Sequence, residues 1–265
     1  MAGKRLHRLL RAIDFARMLL VPGVPFRNRL RIFWTRAFGG AVHRGPGGRL
    51  TASLYGIRIE IPDPIATPRI RESLRKGGYE GCEVLAFEEL ARSGDSILEV
   101  GAGLGFLTSY MARDPRTHRV AAFEADSRLL DIAQGTCALN GVNVALFHAA
   151  VGRRSGIAEF AVHPDFWASS TETWDGAQLV DVPMTALDHC LDEHKPNVLV
   201  LDVEGAEYDL LPNAELRGLD VIVVELHPWQ SDPARTEALF ASLAKRGYRH
   251  VHHARWGNVH GFLKR

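Results

Sequence analysis

The chain has 265 residues, 46% of them hydrophobic and 24% charged. That make-up suits a soluble globular protein of one large domain, or one domain with an extension, and excludes collagen-like, coiled-coil and wholly disordered chains. The formal net charge of +1 hides an asymmetry: residues 1–49 hold 11 Lys/Arg against one acid, Asp14, so they carry +10, and the other 21 bases and 30 acids leave the rest at −9. A basic arm on an acidic body points to an anionic partner, a membrane surface, or docking of the arm on the body. Cys82, Cys137 and Cys190 contain no CxxC pair. A disulfide framework or cysteine zinc site is therefore not expected, and a reducing, cytoplasmic compartment is.

The first residues, MAGKRLHRLLRAIDFARMLLVPGVPF, begin with positive charge. Arg8, Arg11, Asp14 and Arg17 interrupt the apolar stretch, and Pro22 and Pro25 break it. Neither a secretory signal nor a spanning helix is expected. Leu6, Leu9, Leu10, Ile13, Phe15 and Leu19 recur near helical spacing among arginines. Such an amphipathic basic helix can lie on anionic lipid, possible for residues 1–40 as a whole, although packing on the protein's own body is the plainer reading.

Residues 39–49 (GGAVHRGPGGR) read as a flexible connector, and 50–62 (LTASLYGIRIEIP) as a β-hairpin around Gly56. A helix is expected over 78–95, ended at Gly94. The texture then becomes regular. SILEVGAG (96–103), RVAAFEAD (119–126), NVALFHAAV (143–151), IAEFAVH (157–163), NVLVLDVEG (197–205) and VIVVELH (221–227) read as strands. Helices are expected at 104–113, at 127–141 with Ser127 as N-cap, at 206–216 and at 232–246. A hairpin around Gly257–Asn258 closes the chain. Apolar strands alternating with helices imply a parallel sheet covered on both faces. The final hairpin adds an antiparallel strand at one edge. Ligands of such sheets sit beyond the carboxyl ends of the strands, at the switch point.

The first of these strands ends in E-V-G-A-G-L-G: Glu99, Gly101, Gly103, Gly105. Glycines at a strand-to-helix turn allow a sharp turn and close approach to a ligand. The dinucleotide fingerprint GxGxxG is not met, because its third position would be Phe106. The GxGxG spacing after an acid resembles the S-adenosylmethionine loop of Rossmann-like methyltransferases, in which the acid faces the amino group. Carboxylates near such a loop favour a cationic ammonium and sulfonium. Glu124 ends the next strand and can accept both hydroxyls of a ribose.

In LDVEGAEYDLL (201–211), strand alternation puts Asp202 and Glu204 on one side. Their place beyond the strand's end is that of a site, whereas Glu207 reads as a helix cap. His227 lies at the end of VIVVELH, either as a general base or as a hydrogen-bonded strand-end histidine.

The LDVEGAE segment resembles the hallmark of the FkbM-type methyltransferases. GYE at 78–80, SGDSILEVGAGLGFLT at 93–108, FEAD at 123–126, AAVG at 149–152, ASST at 168–171, VPMTALDHCLDE at 182–193 and VVELHP at 223–228 follow in the same order. The resemblance covers about residues 75–265 and leaves 1–74 as a basic arm with a hairpin. The family loop often reads D-x-G-A-N-x-G, where this chain has Glu99 and Gly103. The resemblance implies an α/β fold, a Rossmann-like doubly wound, mostly parallel seven-stranded sheet with an antiparallel edge strand and an N-terminal helical and hairpin extension. It implies methylation of a hydroxyl on a small molecule or glycan, with S-adenosyl-L-methionine as cofactor. The cofactor would meet Tyr79, Glu80, Glu99, Gly101, Ala102, Gly103, Phe106, Glu124, Ala125, Ala149 and Asp202, while Asp202, Glu204 and His227 face the acceptor.

Two rivals stand beside this reading, an NAD-binding oxidoreductase and a membrane-surface nucleotide-binding module without catalysis. A nucleic-acid acceptor ranks low, since no N-P-P-Y-type loop follows the 197–205 strand. No metal site is expected. His250, His252, His253 and His260 alternate across strand faces, and Asp202 with Glu204 is only a weak magnesium pair. Trp167 and Trp174 flank a polar segment and suit either a sugar ring or loop packing.

Overall fold

The computed structural model describes residues 23–162, 178–227 and 233–265, apart from the side chains of 46 and 252–256. The expected arm helix before residue 23, the 163–177 loop with Trp167 and Trp174, and the side chains of His252 and His253 lie outside the described residues.

The chain opens with helix α1 (Phe26–Phe38) and a three-stranded antiparallel sheet of β1 (Ala41–Arg44), β2 (Leu50–Leu54) and β3 (Ile57–Ile61). The β2–β3 hairpin forms where the alternation predicts it. Tyr55 and Gly56 both take positive φ, 51° and 82°, as a tight two-residue turn requires. β1 corrects the flexible connector expected over 39–49: Ala41–Arg44 pair with Ser53–Leu50.

Helices α2 (Pro68–Lys76) and α3 (Gly81–Leu90) lead into the main sheet. Its strands are β4 (Asp95–Val100), β5 (Thr117–Glu124), β6 (Ala145–His148), β10 (Val198–Leu201), β11 (Val221–Glu225), β12 (Tyr248–Trp256) and β13 (Val259–Lys264), in the spatial order β12-β13-β11-β10-β4-β5-β6. The first five run parallel to one another, and β13 runs antiparallel between β11 and β12. The sheet is seven-stranded and mostly parallel as expected, and the reversed strand lies one place in from the edge.

Helices α4 (Phe106–Ala112), α5 (Ser127–Leu139), α6 (Leu187–His194), α7 (Glu207–Asn213) and α8 (Pro233–Lys245) connect the strands. The N-cap of α5 is Asp126, whose side chain accepts from Arg128 N–H, and not Ser127. The expected strand 143–151 splits: β6 joins the main sheet, while β7 (Ala150–Gly152) joins a second small sheet with β8 (Gly156–Val162) and β9 (Gln178–Ala186).

The N-terminal elements share the core of the main sheet. Ile32, Leu54, Ile57 and Ile59 belong to one buried apolar cluster with Val84, Phe87, Phe106 and Tyr110. Asn28, on the inner side of α1, donates to Glu88 Oε1 (2.6 Å) and Asp114 Oδ2 (2.7 Å). Arg116 closes that buried network by pairing with both carboxylates. Parallel order reverses between β4 and β10, so the carboxyl ends of these two strands open the crevice in which the site lies.

Candidate active site

The turn after β4 is built from close backbone packing. Gly101 (φ 92°) sits so near the turn after β10 that a Cβ on it would lie 1.9 Å from the Asp202 carbonyl oxygen. Gly101 and Ala102 N–H both donate to the Phe123 carbonyl. Gly103 (φ 53°) faces the side chains of Tyr79 and Glu80, whose oxygens would be 3.3 and 3.4 Å from a Cβ there. Glycine at these positions keeps the two strand ends together and leaves the loop face open.

A cavity of about 700 Å³ lies against this loop, within the roughly 300–1,000 Å³ usual for small-molecule sites. Tyr79, Glu80, Gly101, Gly103, Glu124, Ala125, Ala149, Asp202, Glu204 and His227 all line it. Three other residues expected at the cofactor do not. Ala102 and Phe106 are buried in the core. Glu99 is only 2% exposed and accepts from Thr108 Oγ1 at 2.5 Å. Burial pushes its pKa up to about 8. Glu99 is thus held by Thr108 and is not among the residues that line this cavity.

Glu124 holds the loop from the other side. It accepts from Gly103 N–H at 2.7 Å and from Asp126 N–H at 2.8 Å, and burial raises its pKa to about 7. Glu80 takes left-handed backbone (φ 44°) and accepts from Leu107 N–H at the start of α4, which satisfies an otherwise orphaned helix donor. Glu225, at the expected ligand-side end of its strand, and Glu83, which sequence reasoning missed, also line the cavity. Both are held above the usual carboxylate range by burial and by neighbouring negative charge. The sign they left in the sequence is an acid in the first turn of α3 and an acid at a strand end.

Asp202, Glu204 and His227 come together, but not by strand alternation. β10 ends at Leu201, and a turn carries both acids, with Glu204 at φ 48° and Gly205 at φ 104°. Glu207 anchors this turn. Wholly buried, it accepts from Gly205 N–H (2.8 Å) through Oε2 and from His227 N–H (2.8 Å) through Oε1, which also faces His227 Nδ1 at 3.2 Å. It is thus more than a helix cap. The other ring nitrogen, Nε2, lies 3.3 Å from Glu204 Oε2 and 3.7 Å from Asp202 Oδ1.

Burial acts to lower the His227 pKa, but the Glu207 hydrogen bond and the charges of Asp202 and Glu204 outweigh it and bring it to about 9. His227 is thus hydrogen-bonded just beyond the end of β11, with Glu207 as its partner. His250 and His260 form a separate pair, ring nitrogens 3.1 Å apart, packed against Phe240.

The cavity therefore combines a glycine turn at the switch point with several carboxylates and an apolar wall of Leu129, Val151 and Phe160. Such a pocket suits a ligand that is cationic at one end and carries hydroxyls and an apolar ring.

Solved structures that resemble the chain include the ribosomal protein L11 methylase of Lactobacillus delbrueckii subsp. bulgaricus (TM-score 0.42, 15% identity, covering 70% of this chain and 78% of that one). Another is M. jannaschii TYW2 in complex with AdoMet (TM-score 0.43, 13% identity, 84% and 87% covered). The ribosomal RNA small subunit methyltransferase A of Lactiplantibacillus plantarum (strain ATCC BAA-793 / NCIMB 8826 / WCFS1) is 50% identical over 44 residues, 17% of this chain. The matched stretch is 14% of that protein's length. A family model described as the methyltransferase FkbM domain matches residues 99–250, a shorter span than the 75–265 expected from the motifs. It covers more than half of the chain, from the glycine loop through the Asp202–Glu207 turn to β12, and the protein belongs to the family of methyltransferase FkbM domains.

Proposed function

We propose that the protein is an S-adenosylmethionine-dependent methyltransferase acting on a hydroxyl of a small molecule or glycan. The observation that carries this reading is the acid-lined cavity against the Gly101–Gly103 turn, in a chain of this family. When bound, S-adenosylmethionine supplies an electrophilic methyl group on a cationic sulfur. The residues fit such a molecule. Glu124 retains lone pairs for ribose hydroxyls beside those that accept from Gly103 and Asp126 N–H. Gly101 and Gly103 leave room for close approach, and Glu80, Glu83 and Asp202 give the cavity a field that favours positive charge. Asp202 and Glu204 hold the acceptor hydroxyl and take its proton, and His227 keeps these acids in place. The enclosing walls align the acceptor and exclude water.

The carboxylates around Asp202 disfavour phosphate at the transfer site itself, while Arg69 and Lys76 also line the cavity. Cys82, Cys137 and Cys190 are all outside disulfides, and the proposed compartment is the reducing cytoplasm. Among the described residues no helix is long and apolar enough to cross a membrane. The outer face of α1 nevertheless presents Phe26, Leu30, Trp34 and Phe38, each more than 40% exposed, with Arg27 and Arg31 beside them. Its proposed partner is an anionic membrane surface.

Calorimetric titration with S-adenosylhomocysteine tests the cofactor, with NADH as control. Micromolar binding that is lost in Glu124→Ala is expected, and O-methylated product in an acceptor screen would establish the transfer. No binding of S-adenosylhomocysteine, or a signal with NADH, would overturn the reading in favour of the oxidoreductase or the non-catalytic module.

A further inference from the structure

We propose that Asp202, Glu204 and His227 bind one divalent transition-metal cation, with Glu207 fixing the His227 ring so that Nε2 faces the ion. This deepens the reading of the cavity as a methyl-transfer site and rests on it only for what the ion would touch next, an acceptor hydroxyl.

The three side chains each offer one ligand atom, and these atoms all lie within 4.8 Å of one another. His227 Nε2 is 3.3 Å from Glu204 Oε2 and 3.7 Å from Asp202 Oδ1. Around a cation with bonds of about 2.1 Å, donor atoms sit about 3.0 Å apart at right angles and about 3.4 Å apart in a tetrahedron. The 3.3 Å separation falls within that spacing and the 3.7 Å one lies a little beyond it. Asp202 Oδ1 is an independent sign. The atom is buried, faces His227 Nε2 and accepts no hydrogen bond. A buried carboxylate oxygen in that state is costly unless something positive meets it.

Glu207 supplies the outer shell that such a site needs. It is wholly buried and fixed by Gly205 N–H and His227 N–H. Its Oε1 faces Nδ1 at 3.2 Å. A carboxylate that accepts from Nδ1–H leaves Nε2 with its lone pair toward the ion, and it fixes the ring's orientation. The same Glu207 holds the turn carrying Asp202 and Glu204. Two carboxylates and one imidazole suit Mn²⁺, Fe²⁺ or Zn²⁺ better than Mg²⁺, which prefers oxygen ligands and its own waters. Both acids and the ring also line the main cavity. The open positions of the ion would therefore face the acceptor, where a hydroxyl oxygen can join as a ligand.

Mn²⁺ alone is the probe, titrated into the full chain stripped of metal, with free Mn²⁺ read by its six-line paramagnetic resonance. One ion per chain is expected. Glu207→Gln should weaken it by about 10–100-fold, and Asp202→Asn should abolish it. Pulsed resonance of the wild-type complex should show coupling to a coordinated imidazole nitrogen, which tests His227 without any variant. Absence of binding at millimolar Mn²⁺ would overturn the site. So would binding that persists in Asp202→Asn, or binding without nitrogen coupling. S-adenosylhomocysteine titrated into the metal-free chain reports separately on the cofactor. Mn²⁺ binding without it would support the cation site while sinking the methyltransferase reading, and the converse would sink the cation site only.

Discussion

Gly101 joins the glycine turn to the acidic turn, and its missing side chain is what allows the contact. A Cβ there would lie 1.9 Å from the Asp202 carbonyl oxygen on backbone with φ 92°. Neither backbone segment can move away without disturbing the parallel pairing of β4 with β10. Gly101→Ala is therefore expected to destabilise the fold by about 3 kcal/mol and to abolish S-adenosylhomocysteine binding, as read by urea unfolding and calorimetry. A chain that keeps both would show that the contact is not needed. Glu99 makes a different prediction. Its folded pKa of about 8 lies above the ordinary value of 4.5. Below about pH 4.5 both states hold the proton and the contribution to stability is complete. Between about 4.5 and 8 the folded chain keeps a proton that the unfolded chain has released, so stability falls as pH rises. Glu99→Gln preserves the acceptor for Thr108 and removes the titration. The fall in unfolding free energy from pH 5 to 8 should become shallower by up to about 1.4 kcal/mol per pH unit. An unchanged slope would mean that Glu99 does not carry the proton.

Elements were legible where they bury side chains on one face. β2 and β3 alternate buried and less buried residues, and β10 and β11 are nearly continuous apolar runs. β1 is mostly exposed and β9 buries only Val182, so neither carries a periodic signal. α1 inverts the usual pattern, turning Asn28, Ile32 and Thr35 inward and its aromatics outward. The glycine loop and both acids of LDVE were readable as a motif. The turn that converges them and the role of Glu207 were not, because they depend on backbone left-handedness and on a hydrogen bond to β11's end. The inward Asn28 gives the test at this scale. Its amide donates to two buried carboxylates, Glu88 and Asp114. Removing it leaves acceptors with one donor fewer, a loss of about 1–3 kcal/mol. Asn28→Ala should lower the melting temperature and leave the affinity for S-adenosylhomocysteine unchanged, since Asn28 is not among the cavity residues. An unaltered melt would mean that α1 is not held through this network.

Across the whole molecule, charge and apolar exposure coincide. Residues 23–49 hold six arginines and no acid, while residues 50–265 carry −9, so an anionic surface attracts the side on which α1 lies. On the attracted side Phe26, Leu30, Trp34 and Phe38 are 72%, 42%, 57% and 71% exposed, spaced at every fourth residue, with Trp34 stacked on Phe38. Tryptophan and phenylalanine on a basic helix face are the groups that settle at a lipid headgroup boundary. Such docking would hold the acidic body away from the lipid. Each arginine near an anionic surface contributes about 1 kcal/mol, which salt screens within a Debye length of about 8–10 Å. The full chain should therefore float with phosphatidylserine-containing vesicles at low salt, bind more weakly as salt rises, and ignore neutral vesicles. Trp34→Ala with Phe38→Ala removes exposed rings without touching the core face of Ile32. It should weaken vesicle binding at least about tenfold, given about 1.5–3 kcal/mol for each apolar side chain buried. Equal flotation of variant and wild type would assign the attraction to charge without insertion. No flotation at low salt would remove the membrane as partner of this face.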